Sequence, residues 1–208
     1  VAETTEPLMM HYRVNAGFIP ADHWVHDPTQ GGGRIIGEVC HFVDFLTWLA
    51  GSLPVSVQAH GLANNGRYQN DNLIATLTFA NGSIGTITYA ANGDKSFAKE
   101  HVTVFGGGSV ATLDDYRRLE LVKNGRKQTH SERWRQDKGH RGEWEAFVQA
   151  VQQGQPAPIP LLEIVATTLT TFRIVENLTQ TETAVVDTQA FLSTLAPTSS
   201  NKHRSSQP

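Results

Sequence analysis

Glu38 and His41 stand three residues apart in a segment, residues 34–50, that reads as an amphipathic helix. At roughly 100° per residue the two lie about one turn apart. They border a stripe of Ile35, Val39, Phe42, Leu46 and Leu49 that should face a core. Phe45 and Trp48 continue the lateral strip of His41, and Asp44 points more nearly away from the core. A carboxylate one turn from an imidazole can orient the ring and set its tautomer, as proton transfer by histidine requires. On pattern alone, an ordinary amphipathic helix with a border histidine in a hydrogen bond explains the same residues. Gly31, Gly32 and Gly33 precede the helix and would let a ligand approach its N-terminus, where free N–H groups favour oxyanions.

The loop feeding this helix carries His23, Trp24, His26 and Asp27. With Cys40 and His41 these could be drawn as a zinc site, but no paired cysteine spacing supports one, so no metal is expected. An aromatic and polar loop before a helix reads as a small-molecule contact surface, or as a plain loop. A further glycine run, Gly106 to Gly108 followed by Ser109, Val110 and Ala111, matches G-x-G-x-x-A after a strand. A dinucleotide site needs a helix to follow. Strand-like Leu119 to Val122 and the turn Asn124-Gly125 follow instead, which predicts a hairpin connection. Lys138, Gly139, His140 and Arg141 open a later helix, where they could cap it, contact an anion or be solvated.

The elements that must position these residues are legible in outline. Residues 8–16 read as a strand ending at Gly17, and residues 20–33 as a loop. The helix over 34–50 is closed by Gly51. Alternation then predicts strands at 55–59, 73–79, 84–90, 100–105, 109–113, 117–122 and 126–130, the consecutive ones antiparallel where two-residue turns join them. Helices are expected at 142–153, with Trp144, Phe147, Val148 and Val151 on one face, and at 160–180, with Leu161, Val165, Leu169 and Phe172 on one face. In the second, the threonine run 167–171 has poor helix propensity, so a strand competes. The expected fold class is α+β: an open, mostly antiparallel β-sheet with helices packed on one face. Residues 1–195 form that unit, and composition predicts a disordered tail over 196–208.

Bulk composition narrows the function. The 208 residues are 39% hydrophobic with 18 Gly, enough for a real core. Seventeen Lys and Arg against 20 Asp and Glu give a formal net charge of −3, which disfavours an electrostatic nucleic-acid binder. One Cys excludes an intrachain disulfide framework and fits a reducing, cytoplasmic compartment. No apolar run is long enough to span a membrane. A start at Val1 in place of Met suggests a truncated chain.

Several segments together resemble the C-terminal domain of the Gfo/Idh/MocA oxidoreductases. They are Tyr12-Arg-Val-Asn-Ala-Gly17, Trp24-Val-His-Asp-Pro28, the stretch Gly31 to Asp44, Trp48-Leu-Ala-Gly51, Gly139 to Glu143 with Phe147, and Pro160 to Glu163 with Val175-Glu-Asn177. The first two are particularly like a bacterial branch whose Gfo/Idh/MocA half follows an alcohol-dehydrogenase-like half. The resemblance implies a two-domain enzyme. An N-terminal Rossmann domain binds NAD or NADP and supplies a Glu-Lys-Pro lysine; the C-terminal domain supplies a substrate pocket, an Asp-x-x-x-His helix and an oligomer-forming open sheet face. No Glu-Lys-Pro occurs here, and Gly37 stands at the position of the family Asp, with Glu38 one residue later.

The resemblance thus implies an NAD(P)-dependent oxidoreductase acting on a sugar, sugar nucleotide or polyol hydroxyl. His41 would act as acid/base and Glu38 would orient it. Arg13, Asn15, His23, Trp24, His26 and Asp27 would bind substrate, and the sheet face would make a homo-oligomer. Neither nucleic acid nor membrane is an expected partner. The alternative is a non-catalytic sugar-binding and dimerisation module that has lost the Asp-x-x-x-His relay. A third reading keeps the fold but uses the nicotinamide transiently, for net-redox-neutral glycoside cleavage or isomerisation.

Overall fold

The computed structural model describes residues 6–131, 136, 138–180 and 184–195; the tail over 196–208 lies outside them. Strand β1 (Met9–Asn15) leads through a 3-10 turn (Trp24–His26) and a π-helical turn (Ile35–Val39) into helix α1 (Cys40–Ala50). Strands β2 (Pro54–Gly61), β3 (Asn72–Phe79), β4 (Ile84–Ala90), β5 (Glu100–Gly106), β6 (Ser109–Asp114), β7 (Arg118–Lys123) and β8 (Arg126–Ser131) follow. Helices α2 (His140–Gln153) and α3 (Leu161–Gln180), the short strand β9 (Ala184–Val185) and helix α4 (Thr188–Leu195) complete the described chain.

The strands make one open sheet in the order β8-β7-β6-β5-β1-β4-β3-β2-β9. Every pairing is antiparallel except β1 with β4, which runs in parallel register from Met9 opposite Ile84 to Asn15 opposite Ala90. Tight turns determine the hairpins, but β1 enters between β4 and β5 after a long separation in sequence, which local alternation does not encode. The Gly106 run is a hairpin as expected: Gly106 pairs with Ser109, and Gly107 and Gly108 take positive φ in a two-residue turn.

One sheet face is packed and the other open. Met10, Tyr12 and Val14 of β1 are buried against Phe42, Val43 and Leu46 of α1, while Met9, His11 and Arg13 point to the opposite face. Tyr12 lies 4.8 Å from Phe42, ring to ring. The α1 stripe is buried as predicted at Ile35, Val39, Phe42 and Leu46, and Leu49 packs at its edge.

The two long C-terminal helices differ from expectation. In α3 the buried residues are Ala166, Thr167, Leu169, Thr170, Thr171, Ile174 and Asn177, whereas Leu161 and Phe172 of the predicted face are exposed. The threonines are tolerated because their hydroxyls bond the helix itself: Thr170 donates to the Ala166 carbonyl at 2.7 Å and Thr171 to that of Thr167 at 2.8 Å. Helix α2 has the predicted stripe, yet none of its residues is buried, and Trp144, Phe147 and Val151 are exposed.

Candidate functional site

The site is built where β1 ends and α1 begins. Asp27 shapes the intervening loop: Oδ1 accepts from Thr29 N and Oγ1 at 2.7 and 2.6 Å, and Oδ2 from Gln30 Nε2 at 3.0 Å. These bonds hold the Asp27 carboxyl below its ordinary pKa. The Asp27 carbonyl also accepts from the amides of Gly31 and Gly32. A Cβ on Gly31 would come within 2.5 Å of the Val25 backbone, so this glycine serves the fold-back of the loop. Gly37 is different: it is exposed, and a Cβ there would meet only the Gly31 carbonyl, at 3.8 Å. Among the described residues, none outside the helix crowds a Cβ at that position.

Glu38 is turned by the π-helical turn toward a buried charge cluster. Its Oε1 accepts from Arg34 Nε at 3.1 Å, and Lys99 Nζ stands 3.9 Å from its Oε2. Arg34 is 2% exposed. It donates to the Gly17 carbonyl at 2.7 Å, approaches Asp71 Oδ2 at 3.5 Å, and lies 5.2 Å from the Tyr89 ring centroid. Burial first, then the charge of Glu38, raises the Tyr89 phenol well above its ordinary pKa. Among the described residues no hydrogen bond joins Glu38 to His41, so the carboxylate expected to orient the ring is held by two cations instead.

His41 lies exposed in the first turn of α1, with Phe45 and Trp48 following on its strip. Phe45 packs edge-on to Tyr12 at 5.4 Å and near Trp48 at 5.9 Å. The carboxylate whose charge state His41 influences is Asp44: burial raises the Asp44 carboxyl, His41 partly opposes the shift, and Glu143 adds to it. A raised folded-state pKa means that the folded chain binds more protons between the ordinary Asp value and the raised one. Stability therefore falls as pH rises through that window. Asp44→Asn is expected to melt at higher temperature than the parent at neutral pH, and the gap should close by roughly pH 4. Equal melting at neutral pH would show that burial at Asp44 carries no penalty.

The remaining predicted residues are dispersed. His23 Nδ1 accepts from the Val25 amide at 3.3 Å beside the exposed Trp24, and both ring nitrogens of His26 are buried without a partner among the described residues. Arg13 lies on the open sheet face, away from His41; it donates to the Ala98 carbonyl at 2.7 Å and covers Phe97. Asn15 donates to the carbonyls of Asp94 and Phe97 at 2.6 and 3.2 Å. Arg13 and Asn15 thus hold a loop. Lys138 pairs with buried Glu100 at 2.6 Å, which also accepts from Tyr12 at 2.5 Å, so it anchors the entry to α2. A cavity of about 650 Å³ lies between α2 and the start of α3, lined by His140, Glu143, Trp144, Phe147, Ile159 and Ile164 among others. Among the described residues no cluster of three or more His, Cys, Asp or Glu is placed to hold a metal ion, and no helix is long and apolar enough to cross a membrane.

Sequence reasoning missed Arg34, Asp71, Tyr89 and Lys99. Only the i, i+4 spacing of Arg34 and Glu38 hinted at the cluster.

Comparison with known proteins begins with solved structures. An aldose-aldose oxidoreductase from Caulobacter crescentus, complexed with glycerol, superposes with a TM-score of 0.72 at 12% identity, over 86% of this chain and 56% of that one. An oxidoreductase from Agrobacterium radiobacter, in complex with NAD+, L-tartaric acid and magnesium, gives 0.67 at 14% identity over 89% and 58%. UDP-N-acetylglucosamine 3-dehydrogenase from Acidithiobacillus ferrooxidans gives 0.61 at 22% identity over 86% and 53%. These likenesses concern the fold, and the chain spans little more than half the length of each of the three. No curated protein matches it. The model of the GFO/IDH/MocA C-terminal domain matches residues 3–109, just over half of the chain. The chain therefore belongs to the GFO/IDH/MocA family, matching its C-terminal domain.

Proposed function

We propose that this domain is the substrate-binding half of an NAD(P)-dependent oxidoreductase acting on a hydroxyl of a sugar, sugar nucleotide or polyol. The observation that carries the reading is the exposed His41 in the first turn of α1, in a domain of this family. Neighbours of the same fold are described with glycerol, L-tartaric acid or a UDP-sugar activity, which supports a polyhydroxylated ligand.

The Gly106 run does not fit a dinucleotide loop: it is a hairpin followed directly by β6. The nicotinamide belongs to the companion domain, and when bound it exchanges hydride. What this chain contributes is proton handling and substrate grip. His41 takes the proton from the reacting hydroxyl, or returns it. Asp44, three residues on along the helix, is the carboxylate on whose charge His41 acts. Trp24 and His23 offer a ring surface at the loop edge.

Self-association through the open sheet face is part of the proposal. Phe105, Met9 and Ile84 are cross-strand neighbours on β5, β1 and β4, exposed by 47, 63 and 42%. Such a contiguous apolar patch on a sheet face favours a second copy over solvent. A reducing, cytoplasmic setting remains the expectation from the single cysteine.

A second reading, a sugar-binding and dimerisation module without chemistry, is favoured by Gly37, which stands where the family pattern carries Asp. The experiment is to offer the full-length protein a panel of neutral and acidic sugars, polyols and sugar nucleotides with NAD+ or NADP+, following nicotinamide absorbance and product identity together. Oxidised product with stoichiometric reduced cofactor supports the dehydrogenase. Product without net cofactor reduction indicates redox-neutral cleavage or isomerisation. Binding without turnover by any of them supports the module.

A further inference from the structure

The loop between β4 and β5 is held with unusual care for an exposed segment. Asn15 fastens it at three points: its amide N–H donates to the Lys99 carbonyl at 2.7 Å, and its side chain to those of Asp94 and Phe97. Gly93 is pressed on the Asn15 side chain so closely that a Cβ would fall 2.0 Å from Oδ1. Arg13 also bonds the Ala98 carbonyl and lies 4.5 Å from the centroid of the Phe97 ring. Asp94 turns back on Ser96, whose amide and hydroxyl it accepts at 2.8 and 2.7 Å.

This bracing fixes two cations at the rim of the candidate site. Lys99 stands 3.9 Å from Glu38 Oε2, beyond hydrogen-bond length, and is about half exposed. Lys95 crosses over Gly17, where a Cβ would meet its Cγ at 2.7 Å, and its ammonium has no acidic partner among the described residues. The carboxylates behind them are already engaged, Glu38 and Asp71 by Arg34 and Asp94 by Ser96. Neither lysine's Nζ makes a hydrogen bond among the described residues, Lys99 keeping only its 3.9 Å ion pair with Glu38. A ligand seated beside Glu38 would meet Lys99 there, with Lys95 flanking it over Gly17.

We propose that the ligand of this site carries an anionic group, a carboxylate or a phosphoryl, and that Lys99 and Lys95 grip it. The inference rests on the reading of the His41 rim as a sugar site and names the substrate class within it. Arg13 and Asn15 then act on the ligand indirectly, as positioning residues for the loop that presents the lysines.

The test is equilibrium binding of three probes, glucose, glucuronate and glucose 6-phosphate, to the full-length protein. At least one anion is expected to bind about tenfold or more tighter than glucose, the effect of one charge-assisted hydrogen bond. The better of the two identifies the anionic group. Lys99→Met and Lys95→Met should each remove most of that preference, and Lys99→Arg should keep it. Both positions are exposed, so loss of folding is not the expected confounder. Absence of any anion preference in the parent protein overturns the proposal, as does a preference that survives both methionine substitutions. Failure of the oxidoreductase reading looks different: the lysine-dependent preference would be present while no sugar in the panel turned over.

Discussion

Arg34→Met is expected to destabilise the chain by about 3–5 kcal/mol, the range for removing one partner of a buried ion pair. The guanidinium is 2% exposed and Asp71 1%, so the methionine variant strands a carboxylate with little access to water. Asp71 would keep the Gln69 amide at 3.1 Å, which compensates only part of its charge. The Gly17 carbonyl would also lose its donor. Methionine fills similar volume along the Tyr89 ring, which isolates the electrostatic loss from a packing loss. Urea unfolding of parent and variant measures the difference. A loss below about 1 kcal/mol would show that water reaches Asp71 and that the cluster is solvated. The double variant Arg34→Met with Asp71→Asn should recover part of the loss, because neither partner is then left charged and alone.

That cluster also marks the boundary of what sequence can say. Strand positions were readable because Met10, Tyr12 and Val14 alternate with His11 and Arg13, and alternation follows directly from a sheet packed on one face. The stop at Gly51 was readable because the residue must turn left-handed, here at φ +59, to satisfy the last carbonyls of α1. His41 was singled out from its helical position and the family resemblance, and it does lie exposed at the helix start. Long-range pairing was not readable: Asp71 is 37 residues from Arg34, and nothing local distinguishes a buried arginine after a glycine run from a solvated one. The π-helical turn shifted the phase between Glu38 and His41, so reckoning at a uniform helical angle pointed Glu38 at the wrong neighbour. Arg13 and Asn15 looked like ligand contacts because both are polar residues in the motif that ends β1, yet their side chains bond the carbonyls of another loop. In α3, hydroxyls that satisfy themselves on the preceding turn let threonines occupy the buried face that a count of apolar residues assigns elsewhere.

In the full-length protein, His41→Ala is expected to lower turnover by about 10²–10⁴-fold, the usual contribution of a positioned acid/base. Affinity for the nicotinamide cofactor should stay nearly unchanged, since no residue of this chain is assigned to hold it. The substitution is informative because His41 is exposed and its ring makes no hydrogen bond to the described residues. Its removal should therefore alter stability by no more than about 0.5 kcal/mol, as for other surface positions. A structural role and a chemical role then separate cleanly: melting temperature reports the first, turnover the second. Added imidazole should restore part of the rate, since His41 is exposed and its removal opens the position to solvent. The proton-transfer assignment fails if turnover is unchanged. Unaltered sugar binding in a parent protein that has no turnover to lose would instead favour the module reading. In that case the lysine rim would be the only part of the site still acting on the ligand, because charge capture by Lys99 and Lys95 needs neither the nicotinamide nor a proton acceptor.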